Sequence, residues 1–199
     1  MDALEKKKNT PSIAKLALVL FAVTAIVSLA LGLVNDVTKD KIAANSVEKT
    51  KEAYANVLSA DSYEEISADT YKKDEASTKA FRTITKLSTA KDSSGATVGY
   101  VAETNFSGAQ GMLTMVVGLD KDLTCTGIYV TKSSETSGLG AKASETSEGA
   151  WRDQLKGATD GVALKKDGGT IVAITGATIT SRACTNEVQT VINAVKALG

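Results

Sequence analysis

Hydrophobic and polar positions divide the chain into three regimes. The first runs from Leu16 to Val34, LALVLFAVTAIVSLALGLV, 19 residues without a charge. As a helix it spans about 28 Å, close to the thickness of a bilayer's hydrocarbon core. A buried core helix is seldom apolar on all faces over such a length. A cleaved signal peptide is the competing reading, because Ala30-Leu31-Gly32 resembles a small-residue cleavage site, although signal peptides usually carry a shorter apolar region. The expectation is a single uncleaved transmembrane helix. Lys6, Lys7, Lys8 and Lys15 precede it, whereas Lys39 and Lys41 beyond it alternate with Asp36 and Asp40. That asymmetry favours a cytoplasmic N-terminus and an extracytoplasmic remainder, at the inner or plasma membrane.

The second regime is helical and polar. From Val37 to about Leu58, Ala, Lys and Glu alternate with Ile42, Val47, Tyr54 and Val57, a pattern that prolongs the membrane helix as a stalk. Residues 59–80 read as short helix and loop.

The third regime alternates with period two and predicts strands. FRTITKLSTA (81–90) and TVGYVAETN (97–105) flank the turn KDSSGA, and GMLTMVVGLD (111–120) and TCTGIYVTK (124–132) flank Lys121-Asp122. Two antiparallel hairpins follow from these pairs. SSETSGLGAKASETSEG (133–149) is too rich in Gly and Ser for regular structure, WRDQLKG (151–157) suggests a short helix, and GTIVAI (169–174) suggests a buried strand. The last segment places apolar residues at 188, 191, 192, 195 and 198, the helical period, with Ser181 as the expected N-cap. The fold class expected is α+β. Its parts are a cytoplasmic tail (1–15), a transmembrane helix (16–34), a helical stalk and linker (35–80), and one extracytoplasmic domain (81–199).

Composition removes several chemistries. Lys+Arg and Asp+Glu are both 23, so the formal net charge is zero, and a nucleic-acid partner, which needs clustered positive charge, is not expected. With no histidine, the chain cannot supply a His-containing zinc site, a His-ligated haem or a Ser-His-Asp triad. Its two cysteines, Cys125 and Cys184, are too few for an iron–sulfur cluster. A disulfide between them and two unpaired thiols are equally compatible with the sequence.

The junction Thr175-Gly176-Ala177-Thr178-Ile179-Thr180-Ser181 puts four hydroxyls within seven residues, at the start of the last helix. Unpaired N–H groups and the positive end of the dipole make such a terminus favourable for a phosphate. An ordinary capped helix start explains the same residues.

TGATITS resembles the [ST]-G-A-T flavinylation motif of an FMN-binding domain found in two membrane complexes. These are the Rnf ion-translocating ferredoxin:NAD oxidoreductases, in their G subunit, and the sodium-translocating NADH:quinone reductases, in their C subunit. Glu135-Thr136-Ser137-Gly138-Leu139-Gly140 is similar to that family's ETPGLG, with Ser137 in place of proline, and Trp151 with Gln154-Leu155-Lys156-Gly157 is similar to its W…Q-[FL]-K-G stretch. Order and spacing agree over nearly the whole chain, and its 199 residues suit the Rnf protein better than the generally longer quinone-reductase one. The resemblance implies a membrane-anchored electron carrier that works with the other subunits of a membrane redox complex. Its FMN is placed by a flavin transferase in phosphodiester linkage on Thr178. Around it, Thr175, Gly176, Ala177, Thr180 and Ser181 are the expected phosphate neighbours, and Glu135, Thr136, Gly138 and Leu139 the expected flavin wall.

Ser94-Gly95-Ala96-Thr97 matches the same four-letter pattern, and Gly157-Ala158-Thr159 its last three letters. Thr97 sits in a hairpin turn and Thr159 lacks the leading hydroxyl, so Thr178 is the expected acceptor. One departure stands out: the family often carries aspartate three residues before the leading Ser/Thr, and here that residue is Val172, with Asp167 out of register. The rival readings are an FMN carrier of the quinone-reductase type and a cofactor-free, membrane-tethered binding protein.

Overall fold

In the computed structural model residues 13–199 are described; the Lys6–Lys8 cluster and most of the expected cytoplasmic tail lie outside them. The chain divides into two units, Met1–Asn45 and Ser46–Gly199.

Helix α1 covers Ile13–Val57. Within its stretch Ile13–Ile42 an 18-residue window reaches a mean hydropathy of 2.7 with none of it buried, so an apolar surface faces outward on every side there. In water that surface has no partner; in lipid it needs none. This apolar helix, the one such span among the described residues, fits a membrane anchor.

In the second unit the last turns of α1 meet a sheet. Five antiparallel strands, β1 (Ser62–Glu65), β2 (Ile84–Lys91), β3 (Thr97–Ser107), β4 (Met112–Asp120) and β5 (Cys125–Ser133), lie in sequence order. Both hairpins form as the alternation predicts. The first closes through Asp92, whose Oδ1 accepts from the Ser94 and Ala96 N–H groups, and Gly95 takes the left-handed conformation there, at φ 81°. The second closes through Asp120, whose Oδ1 accepts from the Asp122 and Thr124 N–H groups. Strand β1 is not legible in the sequence: SYEE offers no apolar alternation, and it lies on the exposed edge paired with β2.

Successive residues of a strand face opposite sides, and the two sides have different covers. Leu87, Ala102, Leu113, Met115, Val117 and Ile128 join the main core with the C-terminal helix α4 (Thr178–Lys196), which contributes Cys184, Val188, Val191, Ile192 and Val195. On the opposite side, Val101 and Val116 pack against Ala53, Tyr54 and Val57 of α1. Gly118 makes this second contact possible, because a Cβ there would run into the Val57 backbone. Thr126 Oγ1 donates to the Val57 carbonyl at 2.5 Å, and Tyr54 Oη donates to Glu103 at 2.7 Å. The stalk pattern thus ends in a packed turn of helix. Short helices α2 (Ala68–Tyr71) and α3 (Glu75–Ala80) complete the stretch before β2.

Between β5 and α4 the chain runs through 3-10 turns at Gly140–Ser144, Trp151–Leu155 and Lys165–Asp167. The first gives regular structure to part of the Gly/Ser-rich stretch. GTIVAI is not a strand: only Ile171 makes a bridge, parallel, to Leu164. Side chains take the place of a neighbouring strand, since Gln154 Oε1 accepts from the Val172 N–H at 3.0 Å and Trp151 Nε1 donates to the Val172 carbonyl at 2.6 Å. Ser181 is not the N-cap either. The helix starts three residues earlier with Ala177 as its cap, and the Ser181 hydroxyl is occupied inside it, donating to the Ala177 carbonyl and accepting from the Ile174 N–H. Cys125 and Cys184 are free and buried.

Candidate functional site

The residues singled out in the sequence converge at the start of α4. Ile171 and Ile174 are buried on either side of exposed Val172, which anchors the segment entering the junction. The Trp151 and Gln154 side chains hold the Val172 backbone, so the W…Q spacing has a structural reason. From Ile174 the chain turns through Gly176, whose φ of 76° favours glycine. Leu139 closes over that turn, its Cδ2 lying 3.1 Å from where a Cβ on Gly176 would stand.

The four hydroxyls of TGATITS are not equivalent. Thr180 and Ser181 are fully buried, and both are committed to the fold: Thr180 Oγ1 donates to Glu135 Oε2 at 2.7 Å, and Ser181 Oγ donates to the Ala177 carbonyl at 2.9 Å. Thr175 is exposed and Thr178 half-buried, and among the described residues neither hydroxyl has a partner. Thr178 is also the first residue of α4. The cap residue, Ala177, has no side chain able to bond the first turn. The first N–H to find an intrahelical acceptor is that of Ser181, bonded to Ala177 at 3.0 Å. The N–H groups of Thr178, Ile179 and Thr180 therefore remain available beside the Thr178 hydroxyl. Uncapped starts lose about 0.5–2 kcal/mol relative to a Ser, Thr, Asp or Asn cap, and an anion held there recovers stabilisation of about 0.3–1 kcal/mol from the dipole.

Both carboxylate oxygens of Glu135, an expected flavin neighbour, are engaged within the protein. Its Oε1 accepts from the Gln110 N–H at 3.0 Å while its Oε2 takes the Thr180 hydroxyl. One carboxylate thereby joins the β3–β4 turn, the ETSGLG loop and the first turn of α4. Burial acts to raise its pKa, but the Gln110 N–H, the Thr180 hydroxyl and the neighbouring N–H groups outweigh that and hold it below the ordinary carboxylate value. Gly108 and Gly140 are required beside it, since a Cβ at either would collide with the carboxylate. Thr136 and Gly138 are exposed in the same loop. Sequence reasoning does not find Gln110 or Gly108, because their part is played through backbone.

A small cleft of about 50 Å³ lies between these elements, lined by Gln110, Glu135, Leu139, Gly176, Ala177 and Thr180. The other two threonines that match all or part of the motif differ in setting. Thr97 opens β3 immediately after the Asp92-closed turn, and Thr159 is exposed in a loop; neither begins a helix. Among the described residues no group of three or more carboxylates or thiols stands ready for a metal.

The family described as the FMN-binding domain matches residues 108–193. The G subunit of the Na⁺-translocating ferredoxin:NAD⁺ oxidoreductase complex from Acetobacterium woodii is 36% identical over 186 residues, covering 88% of this chain and 87% of that protein. The G subunit of the ion-translocating oxidoreductase complex from Aliivibrio fischeri is 31% identical over 187 residues, with 87% and 84% covered. Among solved structures, the C subunit of the Na⁺-translocating NADH-quinone reductase from Parabacteroides distasonis is 25% identical with a TM-score of 0.42, covering 57% of this chain and 61% of that one. A relative above 30% identity aligns along nearly the whole chain, and the FMN-binding domain coincides with the elements that build the Thr178 junction. The chain therefore belongs to the G-subunit family of ion-translocating ferredoxin:NAD oxidoreductase (Rnf) complexes.

Proposed function

We propose that this chain is the membrane-anchored FMN carrier of such a complex, with the cofactor joined to Thr178 by a phosphodiester and the second unit on the extracytoplasmic side. The observation that carries the reading is the first turn of α4: a hydroxyl without a protein partner next to three unpaired N–H groups and no cap. The residues fit the group. The Thr178 Oγ would hold the phosphate and the N–H groups of Thr178, Ile179 and Thr180 would meet its negative charge. Gly176 leaves the approach open, and Leu139 shields the turn from behind. Thr180, Ser181 and Glu135 act one layer further in, holding the helix start in place.

Bound FMN supplies electron transfer between partners. The chain's own task is to retain it where free flavin would be lost to the medium, to orient it and to tune its surroundings. A single apolar helix offers no route for an ion, so translocation belongs to the other proteins of the complex. Loading requires a flavin transferase, and the exposed Val172 and Thr175 lie where that enzyme must approach.

Co-production with a flavin transferase, followed by a denaturing gel viewed under ultraviolet light, tests the reading. The native chain and Thr175→Ala should fluoresce and Thr178→Ala should be dark. A dark native band removes the covalent FMN and leaves the cofactor-free tether as the better account.

A further inference from the structure

The side of the sheet away from α4 carries a cavity of its own. It measures about 480 Å³ and opens between the last turns of α1 and strands β1, β2 and β3, within the roughly 300–1,000 Å³ usual for small-molecule sites. Only residues of the second unit line it, beginning with Ser46. Helix α4, which starts at Thr178, packs on the opposite face of the sheet, so FMN attachment leaves this cavity unexplained.

Its walls are aromatic. Tyr54 and Tyr63 meet edge to face, with ring centroids 4.8 Å apart. Both hydroxyls are used inside the protein: Tyr54 Oη donates to Glu103 Oε1 at 2.7 Å, and Tyr63 Oη to the Leu58 carbonyl at 2.6 Å. Burial, reinforced by the Glu103 carboxylate, raises Tyr54 above the ordinary tyrosine value, so it stays a donor at neutral pH. The tyrosines therefore offer the cavity ring carbon rather than free polar groups.

Free charge comes from two lysines. Lys51 makes no ion pair among the described residues. Lys86 stands opposite Glu103 across the β2–β3 pair. Its ion pair with Glu65 is 3.6 Å long, whereas the other five among the described residues measure 2.5–2.8 Å. Two ammonium groups against the single lining carboxylate leave one positive charge, the complement of a singly charged phosphodiester.

The place of the cavity along the chain names the source of such a group. As a helix, Ile13–Ile42 spans about 45 Å, the thickness of a bilayer together with its headgroup layers, about 40–45 Å. Ser46 follows Ile42 by four residues, a separation that no backbone conformation extends beyond about 14 Å. The first residue of the cavity is thus tied closely to the headgroup layer of the membrane that holds the anchor.

We infer that this cavity receives the phosphodiester headgroup of an anionic lipid of that membrane, with Lys51 and Lys86 on the phosphate and the tyrosine rings against the glycerol backbone. A lipid so held ties the second unit to the membrane at a point other than its anchor. The inference rests on the membrane reading of α1 and is independent of FMN attachment.

The test uses the full chain in a nonionic detergent, titrated calorimetrically with dihexanoyl phosphatidylglycerol, dihexanoyl phosphatidylcholine or inorganic phosphate. Native protein should bind the phosphatidylglycerol saturably and several-fold tighter than either of the others. Lys51→Ala and Lys86→Ala should each weaken that binding about five-fold, the attraction of one lysine for an anionic lipid surface. Lys49→Ala, at an exposed lysine outside the cavity, should leave it unchanged. No saturable binding by the native chain overturns the site. Equal affinity for phosphatidylcholine, or an equal loss in Lys49→Ala, replaces it with non-specific attraction, and equal affinity for inorganic phosphate overturns the lipid as its source. Alkaline carbonate washing of the membranes checks the anchor separately: a chain released by it removes the membrane reading on which the inference rests. Lys51 is exposed, so its variant keeps the test decisive should Lys86→Ala not fold.

Discussion

Removing the Glu135 carboxylate should loosen the site from three sides together. Its two oxygens accept from the Gln110 N–H and the Thr180 hydroxyl at 3.0 and 2.7 Å. Hydrogen bonds to a charged group contribute about 1.5–3 kcal/mol each, towards the lower end where water has access. Glu135 is half-buried and Gln110 exposed, whereas Thr180 is fully buried and would be left without an acceptor. For Glu135→Ala the expected loss is therefore about 3 kcal/mol, which in a unit of this size lowers Tm by about 6–12 °C. Glu135→Gln keeps the shape and one acceptor oxygen, so it should lose about half as much.

The pH dependence carries a separate signature. The folded pKa of Glu135 lies below its ordinary 4.5, so its contribution is complete above that value and disappears as pH falls through the depressed folded value. Thermal melts followed by Trp151 fluorescence between pH 7 and pH 3 give both quantities, since Trp151 is the single tryptophan and lies against the same junction. Glu135→Gln should flatten the fall in Tm below pH 4.5 as well as lower Tm at pH 7. Equal Tm values at pH 7, or parallel pH curves for the two proteins, would refute the linking role assigned to this carboxylate.

Three further outcomes follow from the same structure. Gln154→Ala removes both hydrogen bonds to Val172, at 3.0 and 3.3 Å, and should cost about 1–2 kcal/mol in urea unfolding while lowering FMN stoichiometry at limiting transferase. Val172→Asp restores a charge at a side chain that is 55% exposed; stability should change by less than about 0.5 kcal/mol, and loading rate should rise. Cys125 and Cys184 are buried and free, with burial pushing both thiols up to about 12. Alkylation at pH 8 should label neither in the folded chain and both in denaturant; rapid native labelling would contradict the core placement.

The strongly periodic parts of this fold are legible in the sequence. Both hairpins and the amphipathic α4 appear where period and turn chemistry put them, because in each the pattern is enforced by burial, and the apolar helix is legible from its uncharged run alone. Where partners are distant along the chain, periodicity misleads. GTIVAI has the composition of a buried strand, but its hydrogen bonds go to the Gln154 and Trp151 side chains, which no periodicity announces. Ser181 has the chemistry of an N-cap, yet the bond it makes to Ile174 places it one turn inside the helix. Strand β1 is polar because it is an edge, paired on one side only. At the site, the choice of Thr178 as the proposed acceptor comes from motif and context. The commitment of Thr180 and Glu135 to each other, 45 positions apart, needs the fold.

The most direct test of the account is where the flavin sits in the chain. Tryptic digestion of protein co-produced with a flavin transferase releases residues 167–182, DGGTIVAITGATITSR, which contains Thr175 and Thr178, the two threonines of the TGAT motif. Tandem mass spectrometry should find this peptide heavier by one FMN phosphoester, with the increment on fragments that contain Thr178 and absent from those ending at Ala177. An increment confined to fragments containing Thr175, or carried by the peptide that holds Thr97, would contradict the assignment of α4's first residue as the acceptor.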